Sequence, residues 1–143
     1  MLAHTKISAE KIAAYRATDY RFGEGAEAIT LRIDEASSAL ESLYVRFAYT
    51  RGVFITAFNP YGEVHGDEAN EAAHLRLGRE LKGLHAIVIE GAGTDPRAAW
   101  PQEKSYFALG ADLDAVRAIG RRYRQDAVVW VGRDAVPQLI LLH

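Results

Sequence analysis

Residues 53–58, VFITAF, are apolar on both faces of a strand apart from Thr56. Side chains alternate between the two sides of a sheet, so such a run needs cover above and below. It predicts a central strand sandwiched between helices. The run stops at Asn59-Pro60, a turn initiator, and crosses a short polar loop. It then enters a helix whose first turn carries Asp67, Glu68 and Asn70. Strand ends and helix starts are where folds hold out polar groups, so a site is expected here.

The rest of the chain fits around that strand. Ser8 reads as a helix N-cap, with Ile7 and Ile12 as a hydrophobic staple and the helix running to about Ala17. Residues 20–22 form a short strand, and Ile29, Leu31 and Ile33 alternate as a half-buried one. Ser37 and Ser38 open a helix over residues 39–48. Asp67 is the expected cap of the long helix, with Ala69, Ala73, Leu77 and Leu81 as its buried stripe and Gly83 at its end. Strands follow at 85–90 and 104–109, separated by an irregular stretch at 91–102 that holds two glycines, two prolines and Trp100. Asp112 caps a last helix, and strands at 127–131 and 138–142 make an antiparallel hairpin. The expectation is a single layered α/β (α+β) domain over residues 1–143, with a mixed central sheet of about five to six strands and about three to four helices.

Composition narrows the function classes. With no cysteine there is no disulfide, thiolate metal site or cysteine nucleophile, which suits a cytoplasmic setting. A net charge of −2 offers no basic field for nucleic acid. The apolar runs fall far below the ~20 residues of a membrane helix, and the first residues lack the apolar core of a signal peptide. Neither a metal site nor a cofactor is expected. No histidine pair has metal spacing on one helix, and Gly91-Ala92-Gly93 lacks both the third glycine and the helix of a dinucleotide loop.

The remaining candidates are single polar residues near strand ends. Asn70 and His74 lie four apart and share a helix face, which reaches one pocket with Asn59 if it looks back toward it. Glu103 and Ser105 share a strand face beside Trp100, whereas Lys104 points the other way and cannot activate Ser105. Arg121, Arg122 and Arg124 complement a helix C-terminus. Gln125 precedes the strand carrying Trp130.

The segments AYRATDY at 14–20, FITAFNP at 54–60, WPQEKSYFALG at 100–110 and RRYRQDAVVWVG at 121–132 resemble the bacterial family DUF3293, a domain of unknown function. Asn59, Pro60, Asn70, Trp100, Glu103, Ser105, Tyr123, Gln125 and Trp130 match that family's pattern. Where the family reads Gln-Asn this chain has Gln125-Asp126, so an amide role does not carry over to the second position. The resemblance implies a small bacterial cytoplasmic protein and supplies no activity.

If the ends near Asn59, Glu103 and Gln125 lie on one edge, they form a concave polar site walled by Trp100 and Tyr123. Three functions are then open. The first is a binding domain, regulatory in role, for a small polar or nucleotide-like molecule held by Asn59, Asn70, His74, Trp100, Glu103, Ser105, Tyr123 and Gln125. The second is an interaction module, a homodimer among its forms, pairing through the C-terminal strand. The third is a small enzyme with Glu103 or His74 as acid or base.

Overall fold

The computed structural model describes residues 5–97 and 101–143. In chain order the elements are α1 (Ala9–Arg16), β1 (Asp19–Phe22), β2 (Ile29–Leu31), α2 (Ser38–Phe47), β3 (Gly52–Thr56), α3 (Asp67–Lys82), β4 (Ile87–Thr94), β5 (Glu103–Leu109), α4 (Leu113–Arg122), β6 (Ala127–Val131) and β7 (Pro137–Leu141). The α/β class is as expected. The seven strands form one sheet in the order β2-β1-β4-β5-β3-β6-β7.

Every pairing in that sheet is antiparallel, which corrects the expected mixed sheet and its strand count. The reason is visible in the order. Helix α3 carries the chain from β3 to β4 in the same direction, but β5 fills the gap between those two strands. Helix α4 does the same for β5 and β6, with β3 in the gap. Each helical crossover thus skips one strand. The segment from β3 to β6 has the βαββαβ connectivity and strand order of the ferredoxin-like motif. The β1–β2 hairpin extends one side and β7 the other.

Strand β3 is buried from Gly52 to Ile55, as its two-sided apolar pattern requires, with Thr56 partly buried. On one face Phe54, Phe107, Val129 and Val131 pack with Leu40 and Tyr44 of α2. On the other, Val53, Ile55, Tyr106 and Val128 pack with Leu77 and Leu81 of α3 and Val116 and Ile119 of α4. Helix α1 contributes to neither cluster.

Three local expectations change. Gly66, not Asp67, caps α3, and the face turned to the sheet in its first two turns is Asn70 and His74, with Ala69 exposed and Ala73 partly buried. Strand β4 runs on to Thr94 through Gly91 and Gly93, where the glycines read as loop. Ile12 and Tyr15 of α1 are only partly buried.

Candidate functional site

Antiparallel order decides where the polar residues gather. β3 runs toward one edge of the sheet, and its neighbours β5 and β6 start from that edge. The end of β3, the start of β5 and the start of β6 therefore meet. Asn59, Glu103 and Gln125 belong to those three ends and share one edge.

The backbone at this junction takes unusual conformations. Asn59 is left-handed, with φ 45° and ψ 68°, a region asparagine enters more readily than most residues. Tyr61 (φ 54°) and Arg124 (φ 55°) are also left-handed, and the Tyr61 N–H donates to the Arg124 carbonyl at 2.7 Å. Two loops distant in sequence are thereby tied together under backbone strain, which in folded proteins concentrates at functional sites.

Asn59 is the hub. Its Nδ2 donates to Glu103 Oε2 at 2.8 Å, and its Oδ1 accepts from the His65 N–H at 3.0 Å and from Asn70 Nδ2 at 2.9 Å. Asn70, 5% exposed, returns a bond by accepting the Asn59 N–H at 2.9 Å. Gln125 Nε2 donates to the carbonyls of Phe58 at 3.2 Å and Tyr123 at 3.3 Å. Ser105 is buried and donates to the Glu103 carbonyl at 3.0 Å.

These groups border a cavity of about 520 Å³ between α1 and the sheet. Tyr20, Phe54, Gly93, Glu103, Ser105 and Gln125 line it from the sheet side, and Lys11, Ala14, Tyr15 and Thr18 from the α1 side. Tyr20 and Phe54 meet edge to face, 5.1 Å apart. Gly93 lies in register between Tyr20 and Glu103 on the neighbouring strands. Among the described residues a Cβ there would meet only Thr18 Cγ2, at 3.6 Å, an ordinary van der Waals contact.

Burial pushes the Glu103 carboxyl up from its ordinary value, and the Asn59 hydrogen bond opposes this only in part. At the far wall Asp126, 4% exposed, accepts from the Tyr15 hydroxyl and bonds His143 Nε2 at 2.5 Å, with Lys11 Nζ at 3.7 Å. Burial alone raises its carboxyl. The bonds from Tyr15 and His143 and the Lys11 charge outweigh that and hold it below the usual range. Burial and then the bond to Asp126 push Tyr15 up, so Tyr15 keeps its proton as donor.

Asn59, Asn70, Glu103, Ser105 and Gln125 are brought together. His74 and Tyr123 are not. His74 turns to the other face, stacked on Tyr106 with ring centroids 4.2 Å apart, and borders no part of the cavity. Tyr123 packs with the α3 and α4 cluster, its hydroxyl pushed up to about 12 by burial and Glu80. Trp100 lies outside the described residues.

Lys11, Tyr15, Tyr20, Gly93, Asp126 and His143 are missing from the sequence-derived set. The Tyr15–Asp126 bond joins residues 111 positions apart, which local patterning cannot show. Tyr15 and Tyr20 do lie in AYRATDY, one of the segments singled out, and that was the available signal.

A groove of about 600 Å³ between α3 and β4, bordered by Leu75, Arg79, Lys82 and Glu90, holds none of the expected residues. Among the described residues no helix is long and apolar enough to cross a membrane. No curated protein and no solved structure matches the chain. The model of the protein family of unknown function DUF3293 matches residues 55–128, from within β3 to within β6 and more than half of the sequence, and the chain belongs to that family.

Proposed function

We propose that this protein binds a small polar ligand in the cavity between α1 and the sheet edge. The observation that carries the reading is Glu103, a largely desolvated carboxylate that Asn59 holds at the wall of a cavity kept open by Gly93. Ligand sites are concave, mostly apolar and furnished with a few fixed polar groups, and about 520 Å³ falls within their usual range. Tyr20 and Phe54, set edge to face, offer such a ligand an apolar aromatic wall. A regulatory role for such binding is part of the proposal only as far as binding would order α1, which covers the cavity.

The acid–base reading gains little support. Asn59, an amide with no acid–base role, is the one hydrogen-bond partner of the Glu103 side chain among the described residues. The interaction reading has one observation in its favour, since β7 is an end strand of the sheet. Its edge is partly occupied, because the Asp34 N–H donates to the Pro137 carbonyl at 2.9 Å. Light scattering that finds only monomer at high concentration would remove that reading.

The test of ligand binding is a thermal-shift panel of nucleobases, nucleosides, amino acids and amines, run on wild type and Gly93→Leu. Leucine fits beyond the open Cβ position and fills the cavity. A true ligand at ~100 times its dissociation constant adds roughly 2.7 kcal/mol, several degrees for a domain of this size. At least one compound is expected to stabilise wild type and fail on Gly93→Leu. Compounds that shift both proteins equally, or none that shifts wild type, would overturn the proposal.

A further inference from the structure

The hydrogen-bond inventory of the cavity is one-sided. The Thr18 hydroxyl donates to the Ala14 carbonyl at 2.8 Å, and the Tyr20 hydroxyl to the Tyr15 carbonyl at 2.5 Å. The Tyr15 hydroxyl is taken by Asp126, the Thr56 hydroxyl by the Lys104 carbonyl at 2.7 Å, and the Ser105 hydroxyl by the Glu103 carbonyl. Lys11 Nζ donates to the Tyr61 carbonyl at 2.6 Å and faces Asp126. Apart from the exposed Ser8, each donor group on these lining side chains already has at least one protein acceptor.

Two acceptors are left over. Asn59 engages only Oε2 of Glu103, and among the described residues Oε1 takes no hydrogen bond. The two carbonyls held by Gln125 Nε2 fix the orientation of that amide, and its Oε1 likewise takes none. Both residues flank the Phe58–Asn59 corner and both line the cavity. No cationic side chain pairs with Glu103 among the described residues, whereas Asp126 has Lys11.

We propose, on the reading that this cavity is a ligand site, that its ligand is a small organic cation rich in N–H donors, of the amidinium, guanidinium or amino-heterocycle kind. Its N–H groups bond Glu103 Oε1 and Gln125 Oε1, and its apolar part lies against the aromatic wall of Tyr20 and Phe54. A charge-assisted bond to a desolvated carboxylate is stronger than a neutral one, and an aromatic wall adds attraction for a cation. Phosphates and carboxylates are disfavoured, because they bring acceptors to acceptors and a second negative charge to Glu103. A nucleotide-like ligand would therefore enter by its base and keep its phosphate outside.

Benzamidine and benzoate share one ring and differ in charge and hydrogen-bond sense, which makes them a matched pair of probes. Amide NMR titrations of wild type, Glu103→Gln and Gly93→Leu with each probe decide the matter. Benzamidine is expected to shift the Gly93, Glu103 and Gln125 amides of wild type saturably, and benzoate to leave them alone. Glu103→Gln still accepts the Asn59 bond but loses the charge, and should weaken benzamidine about tenfold or more. Gly93→Leu should abolish the shifts. Preference for benzoate, or benzamidine binding undiminished in Glu103→Gln, overturns the cation assignment and leaves the cavity as a ligand site. If neither probe shifts those amides while panel compounds stabilise wild type and not Gly93→Leu, the assignment alone falls. If no compound of either kind acts through the cavity, both proposals fall.

Discussion

A carboxylate held largely out of water is unfavourable for folding, and Glu103 shows how this protein tolerates one. Asn59 supplies a single neutral donor, too little to offset burial, so the folded state holds the Glu103 proton more tightly than the unfolded chain does. The sign follows from linkage. With the folded value raised above 4.5, ionised Glu103 lowers stability at neutral pH, and that loss is recovered as pH falls through the raised value toward 4.5. Glu103→Gln should therefore be more stable than wild type at pH 7, with the gap closing toward pH 5 in urea titrations. A variant less stable at neutral pH would refute this. Asn70 carries the opposite consequence. It is buried and joins the Asn59 backbone to the Asn59 side chain, so Asn70→Ala strands the Asn59 N–H, removes one of the two bonds to Asn59 Oδ1 and should cost about 1–3 kcal/mol by the same titration. That pairing was legible in the sequence as a shared helix face looking toward Asn59. What the residues could not show is that the face lies against the sheet, because alanine and asparagine compete for it and only tertiary contacts decide.

Strand β4 carries Gly91 and Gly93 two positions apart. Its two glycines look alike in the sequence and suggested a loop, since an isolated glycine ordinarily weakens a strand. Their surroundings differ. At Gly91 a Cβ would lie 2.2 Å from the Arg21 carbonyl oxygen, a backbone atom of the paired β1, so the close approach of the two strands excludes any side chain. At Gly93 the nearest atom among the described residues, Thr18 Cγ2, is 3.6 Å away. Gly91→Ala should force β1 from β4 and cost about 2–4 kcal/mol. Gly93→Ala should be neutral or add about 0.5–1 kcal/mol through the lost chain entropy of glycine. Equal effects at the two positions, by chemical denaturation, would show that the cavity beside Gly93 is not open as described. The elements that were legible, β3 and the β6–β7 hairpin, announce themselves by local pattern and turn length. Those that were not, the β4 extension and the cover of α1, depend on partners from elsewhere in the chain. Helix α1 has no buried residue and is fixed by polar bonds from Tyr15 and Lys11.

For the whole molecule, the sheet separates two regions of different chemistry. The cavity side holds Glu103, and the side under α3 and α4 holds His74, the only buried histidine among the described residues. Sequence reasoning grouped the two because strand directions were unknown, and antiparallel order together with the pitch of α3 sets them apart. His74 is 2% exposed, lies flat on Tyr106 and meets Phe58 edge-on, and among the described residues its Nδ1 has no hydrogen-bond partner. Burial, the largest influence, lowers its value below 6.5. The carboxylates of Glu71 and Glu90 oppose that shift, and Lys104 reinforces it. With Leu77 and Leu81, the ring helps seat α3 on the sheet. Because the unfolded chain binds this proton more readily, His74 contributes stability above its ordinary 6.5, and that contribution is lost as pH falls from there toward the lowered folded value. The loss belongs to the α3 seam and is independent of the cavity. His74→Phe keeps a flat ring on Tyr106 and removes the titration. Urea midpoints between pH 8 and 5.5 should fall in wild type and fall less in His74→Phe, while the affinity of any cavity ligand at pH 7.5 stays the same in both proteins. Parallel pH slopes would show that the buried imidazole does not govern acid sensitivity here, and a changed ligand affinity would show that the two faces of the sheet are coupled.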